Sequence, residues 1–205
     1  EEYLHELAHS PAADYMRPNF FVNTPDILHA YLQYGGTAAF KVRAVLAALM
    51  SPSWGVYAGY ELMEADAVRE GSEEYLDSEK YQYRPRDWSQ PSLAPYLTML
   101  NTFRKAHPAT HWLRNIVFHQ TDSDAIIAFS KRLDDDAVLV VANLDPTSPR
   151  DTTIHLDMPA LGLDWGETYR VEDAVTGDAY TWHGPANYVR LDPFVEPAHV
   201  FTVRR

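Results

Sequence analysis

Asn19-Phe20-Phe21-Val22-Asn23-Thr24-Pro25-Asp26 is the stretch that decides the fold. It is a short apolar run without polar alternation, halted by a turn signal and an acid. Such runs suit strands buried on both faces, as in parallel α/β sheets. Residues 27–34 then read as a short helix closed by Gly35-Gly36. A second helix is expected over 37–50, carrying Phe40, Val45, Leu46 and Leu49 with only Lys41 and Arg43 charged. Residues 54–60, Trp54-Gly55-Val56-Tyr57-Ala58-Gly59-Tyr60, read as another buried strand. Strand–helix–strand alternation favours a parallel sheet with right-handed crossovers.

Toward the N-terminus, Leu4, Leu7 and Ala8 share one helical face until Pro11 stops the pattern. The start lacks the basic residues and apolar core of a signal peptide, and reads as the middle of a larger fold. Downstream, residues 61–91 form a polar stretch too long for a plain connection, and such loops are usually functional. Residues 92–107 are an amphipathic helix with Leu93, Tyr96, Leu97, Leu100 and Phe103 on one face. Arg104, Lys105 and His107 fall in its last turn, where cations suit the dipole, and Pro108 ends it.

Beyond about residue 112 the period changes. Residues 116–120, 125–131, 137–143, 152–156, 169–172, 179–182, 187–191 and 199–203 read as short strands. Asp122-Ser123-Asp124, Asp134-Asp135-Asp136, Asp145-Pro146 and Thr176-Gly177-Asp178 lie between them as turns. This half is expected to be an antiparallel β-sandwich, with Trp112, Trp165 and Trp182 in its core.

Composition narrows the function. With 46% hydrophobic and 22% charged residues the chain is ordinarily globular. A net charge of -12 disfavours nucleic acid, whose phosphates need clustered Lys and Arg. No apolar run approaches a membrane span. The chain has no cysteine, which excludes disulfides and thiolate metal ligands and fits a reducing, cytoplasmic setting.

Asp26 is the first candidate for chemistry, because it follows a buried strand at its C-terminal end, the face on which (β/α)-barrels build active sites. A local reading competes with it. Thr24 can be an N-cap, Pro25 fits the first helical position, and an acid there suits the dipole, so capping explains every residue in the motif. The acids Glu61, Glu64, Asp66, Glu70, Glu73, Glu74, Asp77 and Glu79 could include a pair for glycosidic acid–base work, but read first as a solvated face. Tyr57, Tyr60, Tyr75, Tyr81, Tyr83 and Trp88 are interleaved with them as possible sugar platforms. Lys80 can donate to sugar hydroxyls or phosphate oxygens, though a surface lysine is the default. The nine histidines show no metal spacing, and no metal or organic cofactor is implied.

Three blocks carry a resemblance: residues 17–28 around Phe20-Phe21-Val22-Asn23-Thr24-Pro25-Asp26, residues 51–62 around Trp54-Gly55-Val56-Tyr57, and residues 71–81, Gly71-Ser72-Glu73-Glu74-Tyr75-Leu76-Asp77-Ser78-Glu79-Lys80-Tyr81. They resemble the maltose-1-phosphate-dependent glucan maltosyltransferases of the α-amylase superfamily, the first block matching the seventh-strand motif. The resemblance implies a fold of class α/β plus all-β. Residues 1–110 would be the C-terminal part of a (β/α)8 barrel, about strands 7–8 with their helices, and residues 111–205 the β-sandwich domain. It implies that Asp26 is the transition-state-stabilising carboxylate and that Lys80 and Tyr81 contact the maltosyl unit. The implied reaction is a retaining double displacement, in which maltosyl passes from α-maltose 1-phosphate to α-1,4-glucan with release of phosphate. The nucleophile and general acid of that family match nothing in this sequence, so the remainder of the barrel is expected upstream or on a separate chain. These residues alone are expected to be inactive. A homodimer is the family's usual state. Two alternatives stay open: an amylase-type hydrolase, and a non-catalytic carbohydrate-binding fragment.

Overall fold

The computed structural model describes residues 2–80 and 82–205. Helix α1 (Glu2–His9) comes first. A 3₁₀ turn (Pro11–Asp14) follows, whose opening Ala12 N–H is taken by the Ser10 hydroxyl at 3.2 Å. Strand β1 (Asn19–Phe21), helix α2 (Ala30–Tyr34), helix α3 (Gly36–Met50) and strand β2 (Ser53–Gly55) then succeed one another. The two strands pair in parallel, with Phe20 opposite Trp54. The alternation read from the sequence is therefore present.

Both strands are shorter and more open than expected. Phe21 is 53% exposed, and β1 is not covered on both faces. Among the described residues β1 and β2 have only each other as strand partners, so nothing covers the outward side of Phe21. Strand β2 ends at Gly55 because the next backbone groups turn to side chains: Tyr57 N–H donates to Asn23 Oδ1 at 2.9 Å. Gly59, at φ +96°, then reverses the chain.

Helix α3 is buried nearly all round, as its sequence requires: Phe40, Val42, Val45, Leu49 and Met50 lie in one core. Each such side chain contributes roughly 1.5–3 kcal/mol by leaving water. Helix α4 (Ala94–Ala106) lies against it through Leu97, Leu100 and Phe103. Arg104 does not serve the end of its own helix. Its guanidinium donates to the carbonyls of Ala48, Ser51 (3.1 Å) and Pro52 (2.8 Å), satisfying the C-terminal end of α3.

All eight later strands form: β3 (Ile116–Thr121), β4 (Ile126–Leu133), β5 (Asp136–Asn143), β6 (Arg150–His155), β7 (Thr168–Asp173), β8 (Ala179–His183), β9 (Ala186–Leu191) and β10 (Ala198–Arg204). Every pairing is antiparallel, in the order β8-β7-β10-β5-β4-β3-β6-β9. The expected sandwich is thus one hydrogen-bonded sheet rolled on itself. Ile154 of β6 and Val189 of β9 share a core with Tyr169 of β7 and Phe201 of β10, from the other end of the order. The ends meet where Tyr169 Oη donates to the Gly184 carbonyl at 3.2 Å and accepts from Asn187 Nδ2 at 2.9 Å.

The outer face of the roll is buried too. Ile126, Ala128, Leu139 and Val141 point inward, whereas Ile127, Phe129, Val138 and Val140 join the core of α3 and α4. This two-sided burial explains the unbroken apolar runs in β4 and β5. Polar ties fix the junction. Glu196 accepts from Lys41 Nζ at 2.6 Å and from Tyr96 Oη at 3.1 Å. His107 lies between Asp136 Oδ1 (2.6 Å) and Thr202 Oγ1 (3.0 Å). No helix among the described residues is long and apolar enough to cross a membrane.

Candidate functional site

Asp26 follows the C-terminal end of β1 but does not open a helix. Thr24 and Ile27 exchange backbone hydrogen bonds at 3.2 Å, Asp26 N–H donates to Thr24 Oγ1 at 3.3 Å, and α2 starts only at Ala30. The capping reading of Thr24-Pro25-Asp26 is overturned. These residues form a tight turn because Ile27 and Leu28 are drawn into pairings with Thr24 and with the Glu73 carbonyl, leaving helical geometry to begin later. The turn holds the Asp26 carboxylate out, with its side chain 66% exposed.

Lys80 reaches it from the long irregular segment between β2 and α4. Its ammonium pairs with Asp26 and, at 2.7 Å, with Glu74 Oε1. The hydrogen bonds it donates to Asp26 and then Glu74 hold this amine well above the usual lysine range, so it is a fixed cation at any physiological pH. Asp26 and Lys80, singled out separately in the sequence, are thus brought together. Tyr81 lies outside the described residues.

Among the described residues the segment carrying Lys80 has no named helix or strand, and side chains join its backbone turns in organising it. Asn23, 1% exposed at the end of β1, donates from Nδ2 to Tyr75 Oη at 2.8 Å and accepts from Tyr57 N–H. Tyr57 Oη accepts the Glu79 N–H at 3.0 Å. The Glu79 carboxylate accepts from Arg86 Nη1 at 2.7 Å and from Arg84 N–H at 3.1 Å. Arg86 in turn donates from Nε to Glu64 Oε1 at 3.1 Å. Its hydrogen bond first, with help from Arg84, holds the Glu79 carboxyl below its ordinary range.

The acidic cluster is therefore not simply a solvated face. Glu64, Glu74 and Glu79 all take cationic partners, Glu73 lies 3.7 Å from the His29 ring, and Glu61 Oε2 accepts Gly59 N–H at 3.1 Å. The aromatic residues divide as well. Tyr60 and Tyr75 are core, while Tyr83 and Trp88 are exposed. Asn23, Tyr57 and Arg86 were missed as framework residues, although two arginines within an acidic, tyrosine-rich loop are a signal of it. Trp112 and Trp165, expected in the core of the β half, are exposed on its surface, and only Trp182 packs inward.

A cleft of about 640 Å³ lies on the β half, lined by Gln120, Asp122 and His155 and without a Trp, Tyr or Phe in its wall. Asp26 and Lys80, by contrast, bring convergent charges together just after a strand's C-terminal end. No group of three His, Asp or Glu residues that could hold a metal ion occurs among the described residues.

A family model described as "GLGE, C-terminal" matches residues 118–203. Over 209 aligned residues the chain is 63% identical to alpha-1,4-glucan:maltose-1-phosphate maltosyltransferase 2 of Streptomyces coelicolor, with 100% of this chain and 31% of that protein covered. The alpha-1,4-glucan:maltose-1-phosphate maltosyltransferase of Mycobacterium tuberculosis is 54% identical over 198 residues, 93% of this chain and 28% of that one. The chain resembles a C-terminal part of these maltosyltransferases. It spans about a third of the length of these relatives.

Solved structures agree on the fold. An Anoxybacillus alpha-amylase superposes with TM-score 0.62 at 16% identity, covering 91% of this chain and 38% of that one. The gamma-CGTase of alkalophilic Bacillus clarkii gives 0.64 at 15% identity, covering 98% and 29%. These likenesses show the fold alone, an α/β part followed by an all-β part formed by the rolled sheet.

Proposed function

We propose that this chain forms part of the active site of a retaining α-1,4-glucan:maltose-1-phosphate maltosyltransferase. The observation that carries this reading is the pairing of Asp26, at the C-terminal end of a parallel strand, with Lys80 from the long loop. Residues 1–110 would supply about strands 7–8 of a (β/α)8 barrel, and residues 111–205 a β domain bracing it. The open edges and outward face of β1 and β2 support this, because a parallel pair needs further strands and cover to be stable.

In this reading an aspartate elsewhere in the protein attacks the anomeric carbon of α-maltose 1-phosphate, and a glutamate protonates the departing phosphate. The glucan 4-hydroxyl then displaces the carboxylate, giving up its proton to the same glutamate. Asp26 accepts hydrogen bonds from hydroxyls of the reacting sugar and stabilises the oxocarbenium-like state without attacking it. Lys80 and Tyr81 bind the maltosyl unit. Substrate entry between Asp26 and Lys80 exchanges their ion pair for hydrogen bonds to sugar, and neither charge has to be created. The working protein would be a cytoplasmic homodimer.

The test is phosphate release from α-maltose 1-phosphate with a maltohexaose acceptor, by the intact protein that carries these residues, together with acceptor growth by two glucosyl units. Asp26→Asn should lower kcat by roughly a thousandfold with an unchanged melting curve. Near-normal turnover of the variant would remove Asp26 from the mechanism. Glucan cleavage without phosphate release would point to a hydrolase.

A further inference from the structure

We infer that Arg86 is a positioning residue that sets where Lys80 stands opposite Asp26. Its relevance to catalysis rests on the maltosyltransferase reading, but the placement itself is a matter of this chain's geometry.

The contacts form a closed circuit. From Asn23 the backbone runs through the turn to Asp26, and Asp26 pairs with Lys80. Glu79, the residue before Lys80, bonds from its N–H to Tyr57 Oη, and Tyr57 N–H returns to Asn23 Oδ1. The two substrate-facing charges are thus referenced to one buried side chain, Asn23, by two separate routes. The weak point is Glu79, whose carboxylate needs a cation to stay folded against Tyr57.

Arg86 supplies that cation. Its side chain is only 4% exposed, yet it bridges Glu79 and Glu64, whose side chains are 20% and 17% exposed. The guanidinium also lies over the Tyr57 ring, 5.9 Å from its centre. Burial works against the charge on Arg86, and the two glutamates outweigh it. Arg86 Nη2 and Glu64 Oε2 are buried without partners among the described residues, so among these residues the cluster tolerates imperfect polar pairing. Gly59 is part of the same design. A Cβ there would stand 2.2 Å from Glu64 Oε2 and 2.9 Å from Arg86 Nε, so only glycine lets the chain pass. Without Arg86, Glu64 would keep only Arg84, whose Nη2 lies 3.5 Å from its Oε1, and Glu79 would lose the side-chain cation that pairs with it. The residues beside Lys80 would then swing out toward water.

The test has two independent readings in the intact protein. The first is the acylation rate of the Lys80 amine under limiting acetic anhydride, followed by peptide mass spectrometry and referenced to Lys105. Arg86→Met should raise it severalfold, and Arg86→Lys should restore most of the protection. An unchanged rate in Arg86→Met, in a protein that still melts cooperatively, overturns the inference whatever the enzyme's activity. Should Arg86→Met fail to fold, Glu79→Gln gives the same comparison, with increased labelling expected and unchanged labelling decisive against it. The second reading is a double-mutant cycle on kcat/KM for maltose 1-phosphate. Arg86→Met should lower it on the order of 10- to 100-fold in the wild-type background and have little further effect in Lys80→Ala. Full additivity overturns the link from Arg86 through Lys80 to the reaction. A wild-type protein that releases no phosphate overturns the proposed function, while the labelling still decides the positioning.

Discussion

The segment between β2 and α4 and the rolled sheet satisfy their backbone polar groups by different means. In the sheet, N–H and C=O groups pair strand to strand in unbroken registers, as in the eight paired positions of β4 and β5. In the segment short backbone turns, such as Met63 N–H to the Tyr60 carbonyl, are joined by side-chain partners: Asn23 for Tyr57 N–H, Tyr57 for Glu79 N–H, Glu79 for Arg84 N–H and Glu61 for Gly59 N–H. A sheet register survives most single side-chain changes, because its bonds belong to the backbone. A segment built on side chains loses its shape when one of them goes. Stability therefore sits in one region and the placement of charge in the other.

The largest expected effect tests the stability half of that contrast. Leu139, fully buried inside the roll, should cost about 3 kcal/mol on Leu139→Ala. Phe21→Ala on the half-exposed β1 should cost less than about 1 kcal/mol in these 205 residues alone. Denaturant unfolding of the two variants reads this directly. If Phe21→Ala becomes as costly as Leu139→Ala in a longer protein, the outward face of β1 is covered there, as a complete barrel requires.

Legibility in the sequence followed the same divide. Each β-half strand lies within two residues of its reading, because turn acids and glycines punctuate runs of β-branched residues. What could not be read was the closure. That β3 pairs with β6 and β6 with β9 depends on partners distant along the chain, and no local period records them. In the other half, residues 54–60 carry strand-forming residues, but only Ser53–Gly55 pair because Asn23 captures the Tyr57 N–H. Thr24-Pro25-Asp26 fits a cap and a turn equally well locally, and Glu73, far along the chain, decides for the turn through Leu28. Asp26 stood out by its place after a strand. Lys80 rose above a surface lysine only through the family resemblance. Arg86 was not seen, since its partners are acids that look solvated in sequence.

A smaller effect tests whether every buried charge serves the site. Lys131, on β4, is fully buried, and among the described residues its ammonium donates only to the Trp112 carbonyl, at 2.5 Å. Burial first, and then Arg104, pushes this amine down to about 7. An unfolded lysine titrates near 10.4. Between about pH 7 and that value the unfolded chain binds more protons, so stability should rise with pH across this window and stay flat below it. Lys131→Met should abolish the rise. Near pH 7 it should raise stability by roughly 1–2 kcal/mol, the gain from removing a buried charge being offset in part by the stranded carbonyl. Melting curves of both proteins at pH 7 and above pH 9 check this. A destabilised variant at pH 7 would mean that Lys131 has a buried anionic partner in the intact protein.

The smallest expected change in stability comes from Lys80, a residue we propose for the substrate site. The Lys80 pairs lie in the open, with its side chain 31% exposed and Asp26 and Glu74 more so. Exposed pairs contribute little, so Lys80→Ala should leave the unfolding curve nearly unchanged. Donor use should nevertheless fall, with kcat/KM for maltose 1-phosphate down on the order of tenfold or more through the loss of a charge-assisted contact to the sugar. Unfolding curves and initial rates on the same preparations measure both quantities. If Lys80→Ala unfolded the protein, the ion pair would be a structural clamp and the separation of stability from charge placement would fail. If neither quantity moved, Lys80 would leave the site and Asp26 would have to act without it. A loss of donor use with unfolding unchanged is the outcome the geometry leads us to expect, because the framework of Asn23, Tyr57, Glu79 and Arg86 holds the segment whether or not Lys80 reaches Asp26.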